Sequence, residues 1–188
     1  MSRPTIALVA ALALGAGACS ADTEGRPVCS QPEASILVLE AQSVPSATEL
    51  PCIAELPIGW QFTGSDVRDA GTTLWLDHDR AGVHAVEIRL ISSCDVASAV
   101  EVPPAPDEVG MRVYQEPISL NPFVGSRTLV FDGGCIISRY GFARGSDPAL
   151  VIEADRIVST LPREMVVAEV RRDLDLTLCG AEAPPCAG

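Results

Sequence analysis

Alternating apolar residues through the middle of the chain, two glycine-bearing turns that join such runs in pairs, and a helical period confined to the last third predict an α+β domain. The predicted architecture is an antiparallel sheet of about five or six strands covered by C-terminal helices and stapled by disulfides. With 188 residues there is room for one domain. Hydrophobic residues make up 47% and charged residues 20%, a globular balance. The 25 Asp and Glu face 13 cations, all arginine, for a net charge of -12. That acidity argues against nucleic acid as a partner, and the lack of lysine excludes Walker-type phosphate loops and Schiff-base chemistry.

The chain opens with Met1-Ser2-Arg3 and a short apolar run to Leu14, then Gly15-Ala16-Gly17-Ala18-Cys19. One positive residue, a short apolar core and small residues before a cleavage point make residues 1–18 a signal peptide, since a membrane span needs about 20 apolar residues. On Ala16-Gly17-Ala18-Cys19 the segment resembles the lipobox of bacterial lipoproteins, with Ala16 where that family usually has Leu. The resemblance implies that Cys19 carries a diacylglycerol, and that the exported chain is anchored by lipid to the outer face of the cell membrane. The same small residues also suit ordinary signal peptidase, and release as a soluble secreted protein is the alternative.

Acylation of Cys19 leaves six cysteines, Cys29, Cys52, Cys94, Cys135, Cys179 and Cys186, an even set suited to three disulfides in an oxidising compartment. Closure of the shortest loops favours Cys29–Cys52, Cys94–Cys135 and Cys179–Cys186. Residues 19–31 read as the lipidated cysteine and a polar tether, and residues 32–188 as the single domain.

Within the domain, residues 32–42 suit a helix opened by Pro32. Residues 58–62 form the first strand, with Trp60 and Phe62 on one face. Residues 72–79 and 83–91 form a hairpin around Arg80-Ala81-Gly82, in a register that sets Leu76 against Val86 and Leu74 against Ile88. Three prolines make residues 103–108 a loop, and residues 111–119 resume as a strand. Asp132-Gly133-Gly134 turns residues 127–131 back onto 135–140, with Leu129, Phe131, Ile136, Tyr140 and Phe142 facing one way. Asp147 and Pro148 start a helix in which Leu150, Ala154, Ile157, Val158 and Leu161 recur at helical spacing. Pro162 ends it, residues 163–174 form a second helix with Val166, Val167 and Val170 inward, and Met165 also reads as core. The tail from Cys179 is small and proline-rich.

The most site-like stretch holds both histidines. In an unbroken ladder His78 and His84 lie opposite one another, close enough to share a divalent metal, while Asp77 and Asp79 alternate away. Two ligands fall short of a catalytic zinc, and a solvated hairpin tip is the competing reading. Gly125-Ser126 and Gly145-Ser146-Asp147 lack the nucleophile-elbow pattern, and Ser146 and Asp147 suit a helix start. Glu101, Asp107 and Glu108 read as a solvated acidic loop, and Trp60 and Trp75 as core anchors. With no catalytic residue and no cofactor assigned, the expectation is a non-enzymatic cell-envelope lipoprotein presenting a domain that binds an envelope protein or a small molecule. A metal-dependent extracytoplasmic enzyme using His78 and His84 and an accessory subunit of a membrane complex are the rivals.

Overall fold

The computed structural model describes residues 25–32 and 35–178, apart from the side chains of Pro117 and Ile118. The expected signal peptide, the expected lipidation site Cys19 and the expected Cys179–Cys186 bridge lie outside the described residues. Helix α1 is Ser35–Ser43, followed by β1, Glu49–Ile53. The middle of the chain supplies β2 (Trp60–Arg68), β3 (Gly71–His78), β4 (Gly82–Ile91), β5 (Val100–Val102), β6 (Arg112–Leu120), β7 (Phe123–Phe131) and β8 (Gly134–Gly141). The chain then forms α2 (Ala149–Ile157), β9 (Val158–Pro162) and α3 (Arg163–Leu174).

Seven strands make one antiparallel sheet in the order β2-β3-β4-β8-β7-β6-β5, and β1 pairs with β9 in a separate two-stranded ribbon. The sheet is therefore wider than the five or six strands expected. Its two hairpins follow from alternation and turn chemistry. Leu76 pairs with Val86 and Leu74 with Ile88, and Gly82 takes the positive φ of 108° that the turn needs. Phe131 pairs with Gly134 across Asp132-Gly133. That second turn is clasped by the segment before β1: Ser46 Oγ donates to the Gly133 carbonyl at 2.6 Å and Thr48 Oγ1 to that of Asp132 at 2.9 Å. A Cβ on Gly133 would fall 1.7 Å from the Ser46 carbonyl oxygen, so only glycine fits there.

The even phase of β3, namely Thr72, Leu74, Leu76 and His78, is buried, and the odd phase is half-exposed. This period of two gives the sheet an inner and an outer face. The inner face is covered by helices from both ends of the chain and by the ribbon. Leu37 and Ala41 of α1, Leu50 and Ile53 of β1, Leu150, Ala154 and Ile157 of α2, and Val166 and Val170 of α3 share one core with Leu74, Leu76, Ile88, Leu90 and Ile136. The cover is thus not C-terminal helices alone.

Three local expectations are corrected. The helix after Asp147 does not reach Leu161: it ends at Ile157, and the β-branched run Val158-Ser159-Thr160 extends into β9 because β1 is there to pair with it. Strand β1 was hidden by Pro51, which is tolerated because β1 has a sheet partner along one edge only. Met165 is 46% exposed on α3, off the stripe formed by Val166 and Val170.

Among the described residues, two disulfides join elements distant in sequence. Cys29–Cys52 ties the N-terminal segment to β1, where the Ile53 N–H also donates to the Pro27 carbonyl at 2.6 Å, and Cys94–Cys135 ties the loop after β4 to β8. Such bonds persist in an oxidising, extracytoplasmic environment. Among the described residues no helix is long and apolar enough to cross a membrane.

Candidate functional site

The histidine hairpin does not assemble the expected pair. The ladder shifts register after Leu76, so that His78 pairs with Gly82 and not with His84. A bulge on β4 causes the shift. His84 adopts φ 48°, and its N–H donates to Asp77 Oδ1 at 2.7 Å, which holds the two extra residues of β4 in place. The two imidazoles then take separate environments. His78 is 4% exposed; its Nδ1 accepts the N–H groups of Arg80 and Ala81, each at 3.1 Å, and its ring lies 4.7 Å from that of Trp60. It organises the turn from inside. His84 is exposed and stacks on Trp75, with ring centroids 5.4 Å apart. Trp60 is a core anchor, 4% exposed, whereas Trp75 is on the half-exposed outer face of β3. Among the described residues no three His, Cys, Asp or Glu side chains are grouped to hold a metal ion.

A different group of polar side chains converges on the inner face, beside α2. Arg127 follows the inward phase of β7 set by Leu129 and Phe131, and there it meets Glu108, which the structure buries instead of leaving in a solvated loop. The pair is bidentate, with Nη1 to Oε1 at 2.6 Å and Nη2 to Oε2 at 2.8 Å, and Glu108 Oε2 also accepts the Ala105 N–H at 2.7 Å. Burial pushes the Glu108 carboxyl up, but the hydrogen bonds from Arg127 and Ala105 and the Arg127 charge outweigh it and hold the group below the usual range. One strand away, the buried Tyr140 hydroxyl donates to Asp155 Oδ1 on α2. Burial and the Asp155 charge raise the Tyr140 hydroxyl well above its ordinary value. Burial likewise raises Asp155, against the opposing pull of the Tyr140 hydrogen bond and the Arg127 charge.

Arg127, Tyr140 and Asp155 line a pocket of about 100 Å³ together with Phe123, Val151, Gly125, Ser126, Gln115 and Glu116. The pocket offers donors, a carboxylate and two aromatic rings, Phe123 and Tyr140, with centroids 6.1 Å apart. These are the elements of a polar recognition site, and none of the lining residues is a histidine that could activate Ser126. A shallower depression of about 410 Å³ is lined by Asp66, Arg68, Thr73, Arg89 and Ile91 where β2, β3 and β4 meet. Asp147, expected at a helix start, does accept the Ala149 N–H there at 2.9 Å, while Ser146 Oγ bonds to the Ala143 carbonyl at 2.7 Å.

Sequence reasoning missed the cluster around Arg127. The signal was present: an arginine two residues before Leu129, in the same inward phase, is a charge on a buried face and requires a partner. No family model matches the chain, and neither a curated protein nor a solved structure shows significant similarity to it.

Proposed function

We propose that the protein is a lipid-anchored lipoprotein of the cell envelope that presents a disulfide-stapled binding domain outside the membrane. The anchor rests on Ala16-Gly17-Ala18-Cys19. The observation that carries the binding half is the pocket lined by Arg127, Tyr140 and Asp155, which holds charged groups at partial burial where a purely structural core would use apolar ones. Its size suits a small molecule or one side chain of a protein partner. Ten Cα–Cα steps lead from Cys19 to Cys29, which is tied to β1, so the tether reaches at most about 35 Å and keeps the domain close to the lipid surface.

Intact mass of the mature protein from membranes tests the anchor: a diacylglycerol adduct on an N-terminal Cys19 is expected, and Cys19→Ala should release the protein from the membrane fraction. An unmodified Cys19 terminus, or a terminus elsewhere, overturns it. Native mass spectrometry of gently released protein tests the binding half. A small adduct or a co-purified partner on wild type that is lost in Asp155→Asn is the expected result, and identical spectra for the two overturn the assignment of the pocket.

A further inference from the structure

Resting on the reading of the Arg127, Tyr140 and Asp155 pocket as a binding site, we infer that its ligand is an ammonium group, taken up by the free oxygen of Asp155 beside the rings of Phe123 and Tyr140. The pocket owes its floor to Gly125, which lies in the inward phase of β7 between Pro117 and Tyr140 and leaves a gap where a side chain would stand. A Cβ there would come within 3.6 Å of Phe123 Cζ. At about 30 Å³ for one water, a pocket of about 100 Å³ accepts an ammonium group with a short alkyl stem, and Val151 of α2 gives the stem an apolar wall.

The hydrogen bonds already made in the wall fix the sign of the ligand. Arg127 is the one cation among the described lining residues, and both of its Nη groups are on Glu108, so its charge is balanced before any ligand arrives. The Tyr140 hydroxyl has given its proton to Asp155 Oδ1. The charge left over is that of Asp155, whose Oδ2 accepts no hydrogen bond from a described residue yet is open to solvent. Glu116, the other acid of the lining, pairs with Ser126, one residue out of phase with Gln115 and Arg127. It therefore offers backbone to the pocket and turns its side chain to the outer face.

An anion entering here would meet the Asp155 charge at close range with no free cation to offset it. A divalent metal would find a single carboxylate, and no group of three ligands exists among the described residues. An ammonium group gains a charge-assisted hydrogen bond to Oδ2 and two rings, with centroids 6.1 Å apart, that attract a cation within about 6 Å. A free alkylamine and the lysine of a partner protein present the same group.

Nuclear magnetic resonance of the full mature chain, in a non-ionic detergent and amine-free buffer at neutral pH, tests this with probes of one shape: propylammonium, n-propanol and propionate. Propylammonium should shift the Phe123 and Tyr140 ring signals to saturation, binding about tenfold or more tightly than either of the others. Asp155→Asn should weaken it about ten- to hundredfold and Phe123→Leu about two- to fivefold. A native adduct with the mass of an amine identifies a free amine as the source, and a carbodiimide cross-link from Asp155 to a partner's lysine identifies a side chain; either supports the inference. Propionate or propanol binding as tightly as propylammonium overturns the ammonium assignment and leaves the pocket reading intact, as does propylammonium binding that is unchanged in Asp155→Asn. No shift with any probe overturns the assignment too, and where Asp155→Asn also leaves the native mass spectrum unchanged, the pocket reading falls with it.

Discussion

Glu40 is the sharpest test of the energetics. It sits in α1, fully buried, and neither carboxyl oxygen has a hydrogen-bond partner among the described residues. Burial raises its pKa well above the ordinary 4.5. Glu40→Leu keeps the volume and removes the orphaned group. A buried polar group without a partner costs about 1–3 kcal/mol, so the variant should be the more stable by that amount near pH 4.5. For a chain of this size that is about 3–10 °C in Tm. The gap should widen with pH. Folded Glu40 holds a proton that the unfolded chain gives up above pH 4.5, so wild type loses about 1.4 kcal/mol per pH unit until pH reaches the folded pKa, then levels off. Thermal melts of both proteins with disulfides intact, from pH 4.5 to 8, measure this. A variant less stable than wild type at pH 8, or a difference that does not change with pH, would refute the assignment of an unpartnered carboxyl.

Glu108→Gln should destabilise by about 1–3 kcal/mol, because it leaves a largely covered Arg127 without its counter-charge. The folded Glu108 pKa is depressed, so the pair's contribution is present above pH 4.5 and lost as pH falls through the folded value, and melts of Glu108→Gln should lack that acid-side loss. His78→Ala should cost about 2–4 kcal/mol in denaturant unfolding, since it empties a site against Trp60 and removes the acceptor for two N–H groups, whereas His84→Ala should stay within about 0.5 kcal/mol. Equal effects would restore a joint role for the two histidines. Replacing both cysteines of Cys29–Cys52 or of Cys94–Cys135 with alanine should cost about 3 and about 4 kcal/mol, following sequence separations of 23 and 41, and a reversed order would show that loop closure does not set their contributions.

The central hairpins were legible in sequence because alternation and glycine turns are local. Leu74, Leu76, Val86 and Ile88 declare their face within a few residues, and Asp132-Gly133 its turn. Helix α3 was equally legible, its start marked by Pro162 and its inner stripe by Val166 and Val170. What the sequence concealed depends on distant partners. Val158-Ser159-Thr160 continues a helical period on its own and becomes strand only because residues 49–53 lie beside it. The bulge that separates His78 from His84 depends on one carboxylate, Asp77, capturing one N–H, a choice that hydrophobic period cannot show. Arg127, Glu108 and Asp155 come from three elements, and only the inward phase of Arg127 hinted at their meeting.

The ribbon that joins β1 to β9 has a further consequence for the growing chain. Ile53 and Val158 are paired, yet 105 residues separate them. At roughly 5–20 residues per second, β1 waits about 5–20 s for its partner to be synthesised. Throughout that time it is a short apolar strand with a free edge, the kind of segment that seeds pairing between chains. Pro51, in the middle of β1, shares the phase of Ile53, whose N–H turns away from β9 to the Pro27 carbonyl, so its missing donor blunts the outer edge of the ribbon, which stays without a sheet partner even after β9 has docked.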